Sequence, residues 1–391
     1  MSRANKAVVI MAAGQGTRMK SATSKLLHSV AGKALIYYPI ELALALGAEQ
    51  IVLVLGHQRE DIEAYARSEF PDAPIQCVVQ EQQLGTAHAV LCAKPALTHF
   101  SGDVIILSGD VPCLRSEVLK ELDTLKAQTP VGLVTMRLSG ANRYGRLVRN
   151  DAQEASAIVE FADCSDTQKQ IEELNSGIYQ VDATFLFEQL ERVGSDNAQG
   201  EFYLTDLIAL AAQQSTPAAV LSLDVQRSLW AVGVNNRLDL ATAEAQVQSR
   251  LRTQHLLAGV TMLAPDRVYL ETLVQIGSDT TLAPDVTLQG STRIGQNCTI
   301  GQGAIIINSV IEDGTTIKPY SHIENAHVGS ACVVGPFARL REGTQLEQSV
   351  KIGNFVETKK ARFDAGAASC VPHSLARTSS CTSALLSVQL P

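Results

Sequence analysis

Apolar positions along this chain follow two different rhythms. Over roughly the first 225 residues, short uninterrupted runs of Val, Ile and Leu alternate with segments whose apolar residues recur at helical spacing. The runs at 7–12 (AVVIMA), 50–55 (QIVLVL), 75–80 (IQCVVQ), 103–108 (DVIILS), 131–138 (VGLVTMRL) and 177–181 (GIYQV) predict strands. The stretches 38–47, 59–67, 86–94 and 115–126 predict helices between them. Strands that are apolar throughout, rather than at alternate positions, predict a mainly parallel sheet covered on both faces. Sheets of that kind bind ligands beyond the carboxyl ends of their strands. Residues 237–258 (RLDLATAEAQVQSRLRTQHLLA) then give a long helical pattern without Pro or Gly, suited to connect two domains.

The second rhythm has a period of six. Ile276, Leu282, Leu288, Ile294, Ile300 and Ile306 are evenly spaced, and after a one-residue slip the series resumes at Ile311, Ile317 and Ile323. After another slip it continues through Val328, Val334, Leu340, Leu346 and Ile352, with Gly, Ser, Asp, Asn and Pro between. One inward aliphatic per six residues predicts a parallel β-helix, in which each coil buries its interior against the next. A β-sandwich would alternate every two residues instead. At three such positions per coil, the series predicts roughly four to five coils. After Phe363 the pattern stops: residues 364–391 hold no hexad, are rich in Ser, Ala and Cys, and are expected to be disordered. The expected division is therefore 1–236, a connecting helix 237–258, a β-helix 259–363 and an aberrant tail 364–391.

Composition narrows the class. A chain of 391 residues that is 46% hydrophobic and 18% charged suits a globular protein of more than one core. Its net charge of −8 argues against a nucleic-acid partner or an anionic membrane surface. The eight cysteines stand singly, without a C-x-x-C pair, which argues against a zinc cluster or a disulfide framework and fits a reducing cytoplasm. No apolar stretch approaches the length of about 18 residues that a membrane span needs.

The chemistry concentrates at strand ends. In "VIMAAGQGTRMKSATSK" (9–25), Gly14 and Gly16 bare the backbone so that amide groups can approach phosphate oxygens. Arg18 offers those oxygens a planar fork and Lys25 a mobile point charge. The loop matches neither the Walker pattern nor G-x-G-x-x-G. Asp110 in "SGDVP" follows an apolar strand, where a carboxylate suits Mg²⁺ or simply opens a turn. In "QEQQLGTAHA" (80–89), Gly85 and Thr86 open a helix, and Thr86 either caps it or faces a ligand.

Taken in order, "MAAGQGTRM", Lys25, "QLGTAHA", "GDVP", "YGR", "IVEF", "NSGIY", "EFYLTD" and "GVNNR", followed by hexads, resemble one family. It is the bifunctional bacterial N-acetylglucosamine-1-phosphate uridylyltransferase / glucosamine-1-phosphate N-acetyltransferase, and the resemblance covers residues 5–363. Met11 departs from the family's usual leucine. The resemblance implies a Rossmann-like nucleotidyltransferase domain followed by a left-handed β-helix, assembled as a cytoplasmic homotrimer. It implies Mg²⁺-dependent transfer of a uridylyl group from UTP to N-acetylglucosamine 1-phosphate, giving UDP-N-acetylglucosamine for peptidoglycan and lipopolysaccharide precursors. It further implies that Ala12, Ala13 and Gly14 meet the nucleotide through backbone, that Arg18 and Lys25 neutralise its phosphates, and that Gln80, Gly85 and Thr86 read uracil. Gly145, Glu160, Asn175 and Asn235 would hold sugar and ribose, with Asp110 and Asn235 ligating the metal and Arg18, Lys25 and Asp110 as the catalytic set.

The family's second activity transfers an acetyl group from acetyl-CoA to glucosamine 1-phosphate. Arg341 in "PFARLR" and Lys359 in "NFVETKK" match its sugar-phosphate positions. Beyond them the chain departs: Val371 falls where the family's catalytic histidine aligns, and His373 lacks the flanking motif. The abrupt change after Phe363 is what an altered reading frame produces, so acetyl transfer is expected to be lost. The competing readings are a pyrophosphorylase for another sugar 1-phosphate and a non-catalytic β-helix scaffold.

Overall fold

A computed structural model describes residues 5–14, 16–56, 59–140, 142–214 and 216–369. The chain forms two compact units, one ending at Ala243 and the other beginning at Glu244. The boundary falls inside the helix Arg237–Leu257.

The first unit is built on strands β1 (Lys6–Ala12), β2 (Gln50–Leu55), β3 (Ile75–Val79), β4 (Asp103–Ser108), β5 (Val131–Met136), β6 (Arg146–Arg149), β7 (Ala155–Val159), β8 (Leu174–Asp182) and β9 (Ala219–Ser222). Their order is β9-β5-β8-β4-β1-β2-β3, with β6 and β7 attached beside β8. Strands β4, β1, β2 and β3 run parallel, whereas β8 is antiparallel to both β4 and β5. Alternate residues of the apolar runs supply opposite faces. Val8, Ile10, Ile51, Leu53, Ile105 and Leu107 enter one core cluster, with Ile40, Ile62 and Leu122 from the helices Tyr37–Ala45, Arg59–Glu69 and Ser116–Leu125. Ala7, Val9, Val52, Val54, Val104 and Ile106 enter the other, with Val90, Leu186 and Ile208 from Thr86–Leu91, Ala183–Leu190 and Asp206–Gln213. This double coverage explains why the central strands read as unbroken apolar runs.

Register decides where the site lies. Ala12 pairs with Leu55, Leu55 with Val79, and Met11 with Ser108. The carboxyl ends of β1, β2, β3 and β4 therefore finish level along one edge. Three strands of this sheet escape the sequence pattern: β6, β7 and β9 are four or five residues long and mix polar with apolar positions.

The second unit is a left-handed parallel β-helix. Its three sheets stack Met262, Leu282, Ile300, Ile317, Val334 and Ile352; Leu270, Leu288, Ile306, Ile323 and Leu340; and Ile276, Ile294, Ile311, Val328 and Leu346. The sheets have seven, six and six strands, which makes six coils and part of a seventh, more than the four to five expected. The periodic series undercounts because Met262 and Leu270 stand eight apart, and because Thr358 occupies an inward position at the far end. The β-helix also outlasts the boundary expected at Phe363, since Ala368–Ser369 pairs in parallel with Lys351–Ile352. Parallel pairing is made by backbone groups, so small residues can extend it without continuing the aliphatic hexad. The rest of the expected tail, with Val371 and His373, lies outside the described residues. At the corners, Asp279, Asp285, Asn297, Asn308 and Asn325 take positive φ, which Asn and Asp tolerate best among residues with a side chain.

Candidate active site

The loop after β1 is shaped by missing side chains. A Cβ on Gly56, just past β2, would stand 2.6 Å from the Ala13 carbonyl oxygen. Gly16 has φ +61°, and a Cβ there would meet Lys25 Cβ at 2.6 Å. Glycine at these points lets the chain beyond β2 press against the loop and lets the Lys25 stem pass beneath it. From the other side, Gln83 donates its amide to the Ala13 carbonyl oxygen at 2.5 Å. That bond fixes the peptide from which the Gly14 amide projects.

Lys25 Nζ reaches Asp110 Oδ2 at 2.5 Å, with side chains only 13% and 16% exposed. Asp110 is set by backbone on both sides: Gly109 N donates to Met11 O, and Val234 N donates to Asp110 O, each at 2.9 Å. Gly233 packs against the carboxylate so closely that a Cβ would lie 3.1 Å from Oδ1. Arg18 Nη2 donates to Asn235 Oδ1 at 2.9 Å, and Asn235 N donates to Asp239 Oδ2. Tyr144 completes the group. Its burial and the nearby Asp110 charge push the phenol up from its usual range, against a hydrogen bond from the Gly233 backbone. Segments far apart in sequence, "GTRMKSATSK", "GDVP", "RYGR" and "GVNNR", thus meet in one place.

Gln80 is buried, and its amide donates to Gly85 O at 3.0 Å while lying 3.1 Å from His88 Nδ1. Gly85 has φ +114°, and a Cβ would stand 2.5 Å from Phe202 O. It is Gly85, not Thr86, that stands at the helix N-cap. The Thr86 hydroxyl instead accepts from Leu204 N at 2.9 Å, tying this turn to "EFYLTD".

These elements enclose a cavity of about 270 Å³ beyond the carboxyl edge of the sheet. Ala12, Ala13, Gly14, Lys25, Gln80, Gly85, Thr86 and Asp110, all expected from the sequence, line it. Gln83, Ser108 and Glu201 line it as well and were not singled out. Gln83 lies in "QLGTAHA" and Glu201 in "EFYLTD", but nothing local says that their side chains face inward.

A neighbouring group holds Gly145, Glu160 and Asn175 of the residues expected at the sugar and ribose, whereas Asn235 lies with Arg18. Asn175 N donates to Gly145 O at 2.9 Å, and Asn175 Oδ1 accepts from Gly177 N and the Tyr179 hydroxyl, each at 3.0 Å. A Cβ on Gly145 would crowd Ile158 at 2.9 Å and approach Glu160 Oε2 at 3.4 Å. Burial raises the Glu160 carboxyl above its usual range; the nearby Thr205 side chain opposes this, and the charges of Asp163, Asp206 and the cavity residue Glu201 add to it.

Among the described residues, no group of three or more His, Cys, Asp or Glu side chains could cage a metal. The donors present are hard oxygens, Asp110 and Asn235, and Gly233 leaves room at the carboxylate. That set suits Mg²⁺, which takes one or two protein oxygens and completes its shell with phosphate and water. In the second unit, Arg341 Nη1 lies 3.2 Å from Glu357 and Lys359 Nζ 3.2 Å from Glu342. Among the described residues, no helix is long and apolar enough to cross a membrane.

Known families match two parts of the chain. A family model described as nucleotidyl transferase matches residues 7–231, and one described as the GMPPB C-terminal domain matches 267–363. The bifunctional protein GlmU of Anaeromyxobacter sp. (strain Fw109-5) is 45% identical over 361 residues, spanning 92% of this chain and 73% of that protein. GlmU of Pelobacter propionicus is 43% identical over 365 residues, spanning 93% and 78%. A crystal structure of UDP-glucose pyrophosphorylase complexed with UDP-glucose aligns with a TM-score of 0.51 at 19% identity, covering 63% of this chain and 99% of that one. At that identity the last likeness bears on the fold alone.

Proposed function

The chain belongs to the bifunctional GlmU proteins, whose amino-terminal part is a nucleotidyl transferase, and on that premise we propose that its first unit transfers a uridylyl group from UTP to N-acetylglucosamine 1-phosphate. The observation that carries the proposal is the convergence of bare amides, Lys25 and Arg18 with Asp110 at the carboxyl edge of the sheet. In this reading a phosphate oxygen of the sugar phosphate attacks the α-phosphorus in line. A new P–O bond forms as the bond to the leaving pyrophosphate breaks. The attacking oxygen is already ionised at neutral pH, so no general base is required. The barrier lies in bringing two polyanions together and stabilising charge on the leaving group, which is a task of positioning and electrostatics. The amides of Ala13 and Gly14 would face the nucleotide phosphates, with Lys25 and Arg18 as counter-charges. Asp110 and Asn235 would hold Mg²⁺, which when bound neutralises phosphate charge. Gln80, Gly85 and Thr86 would bound the base, and Gly145, Glu160 and Asn175 the sugar.

The test is pyrophosphate release from UTP and N-acetylglucosamine 1-phosphate with Mg²⁺. Asp110→Ala is expected to lower turnover by about 10²-fold or more; turnover like that of the unmodified protein in a folded Asp110→Ala variant refutes the assignment. The alternative, a different sugar 1-phosphate, is decided by a substrate panel in the same assay. For the second activity we propose loss of acetyl transfer in this chain. The support is that 364–391 does not continue the family motif and that Val371 stands at the expected histidine. Release of CoA from acetyl-CoA with glucosamine 1-phosphate would overturn that part. A cytoplasmic homotrimer follows from the same family reading, with mass measurement in solution as its check.

A further inference from the structure

Each of the two side chains assigned to the metal already has an oxygen held by one of the two cations assigned to the phosphates. We propose that Lys25 and Arg18 are exchangeable cations, which occupy Asp110 and Asn235 until a polyphosphate draws them away. The proposal rests on the metal reading given above.

The geometry is specific. Lys25 Nζ sits on Asp110 Oδ2 and Arg18 Nη2 on Asn235 Oδ1. Both cations come from the segment after β1. The two oxygens come from the turn after β4 and from the stretch before the helix Arg237–Leu257. A divalent cation arriving alone would meet an ammonium already seated on the carboxylate. Displacing that ammonium without offering it a new partner leaves two like charges side by side in a half-buried place. A polyphosphate changes the balance, because its oxygens give Lys25 and Arg18 alternative partners while themselves completing the metal's shell. Lysine suits the exchange, since its charge rides on a flexible four-carbon stem, and Gly16 leaves the space that stem occupies. Metal and polyphosphate should therefore bind with positive coupling. The coupling is reciprocal, and coupling energies between sites typically correspond to roughly 5- to 150-fold in affinity.

The experiment uses the full chain and Mn²⁺ as a paramagnetic stand-in, with protein-bound ion read from water-proton relaxation. Binding is measured for Mn²⁺ alone and with inorganic tripolyphosphate. The unmodified protein should bind Mn²⁺ weakly alone and at least ~5-fold more tightly with tripolyphosphate. Lys25→Met should bind Mn²⁺ alone at least ~5-fold more tightly than the unmodified protein and should lose most of the coupling. Lys20→Met removes an exposed charge from the same loop without touching either oxygen, and should change neither quantity. If Lys25→Met fails to fold, as judged by thermal melting, Arg18→Met tests the second pair with the same expectation. Mn²⁺ affinity unchanged in the folded variant, or raised equally by Lys20→Met, overturns the exchange. Asp110→Asn separates this failure from a deeper one. If that variant binds Mn²⁺ like the unmodified protein in both arms, the metal assignment itself falls; if it loses Mn²⁺ while Lys25→Met is unchanged, only the exchange does.

Discussion

Replacing Gly233 by alanine puts one methyl group against the carboxylate on which the proposed chemistry turns. The new Cβ would stand 3.1 Å from Asp110 Oδ1 and 3.3 Å from both Cγ and Oδ2. Gly233 is not in the left-handed region, so the backbone accepts alanine without strain. The carboxylate must give by a few tenths of an ångström, yet Lys25 holds its other oxygen at 2.5 Å. For stability the effects offset each other. The loss of unfolded-chain entropy contributes ~0.4–1 kcal/mol, against mild overpacking of about 1 kcal/mol, so the melting temperature should move by only a few degrees. For activity they do not. A displacement of about 1 Å near a reacting centre can cost ~10²-fold, so a few tenths should cost on the order of 10-fold, or about 1.4 kcal/mol. The assay is pyrophosphate release over a Mg²⁺ titration at saturating UTP. The expected result is a kcat/KM lower by about 10-fold and a higher half-saturating Mg²⁺ concentration in a protein that melts normally. Unchanged kcat/KM and unchanged Mg²⁺ dependence would refute the cradle.

Three further outcomes follow from named contacts. Gly85→Ala requires an L-residue at φ +114° with its Cβ 2.5 Å from a backbone oxygen; strain and overpacking together should cost ~2–4 kcal/mol, read as a lower urea midpoint for the first unit. Ile317→Ala, in the β-helix interior with 0% exposure, should cost ~2–5 kcal/mol, whereas outward-facing Val310→Ala should cost less than ~0.5 kcal/mol. Glu173 gives a pH signature. Burial pushes its carboxyl up, but hydrogen bonds from Arg149, Ser222 and Thr135, with the Arg149 charge, hold it down at about 2 against a usual 4.5. Between those values the unfolded chain binds more protons than the folded one, so the stabilisation is complete above pH 4.5 and lost as pH falls toward about 2. Glu173→Gln should accordingly melt lower at neutral pH, with the deficit shrinking over that window; a constant deficit would contradict the shift.

Much of the fold was legible because its signals are local. Runs such as AVVIMA and QIVLVL are apolar on both faces because helices cover both, and the hexad writes one coil wall into every six residues. Where the local signal weakened, the reading failed. Strands β6, β7 and β9 are short and half-polar, and Thr358 and Ser369 sit inward without an aliphatic side chain. The expected site residues were legible as types, since glycines at a strand end, a basic loop and an acid after an apolar run each suggest their own chemistry.

What the sequence by itself determined was therefore the kind of elements, their order, and the residues able to meet a phosphate or a metal. Tertiary structure alone decided which of these touch. Lys25 and Asp110 are 85 residues apart and Arg18 and Asn235 are 217 apart, and no periodicity of two, three and a half or six residues carries information over such distances. Their meeting depends on the crossover order that seats β1 between β4 and β2 and on the register that ends those strands level. The inward turn of Gln83 and Glu201, and the closeness of Gly233 to a carboxylate, have the same origin. Side-chain chemistry is set by the residue, but proximity is set by the packing of the whole sheet.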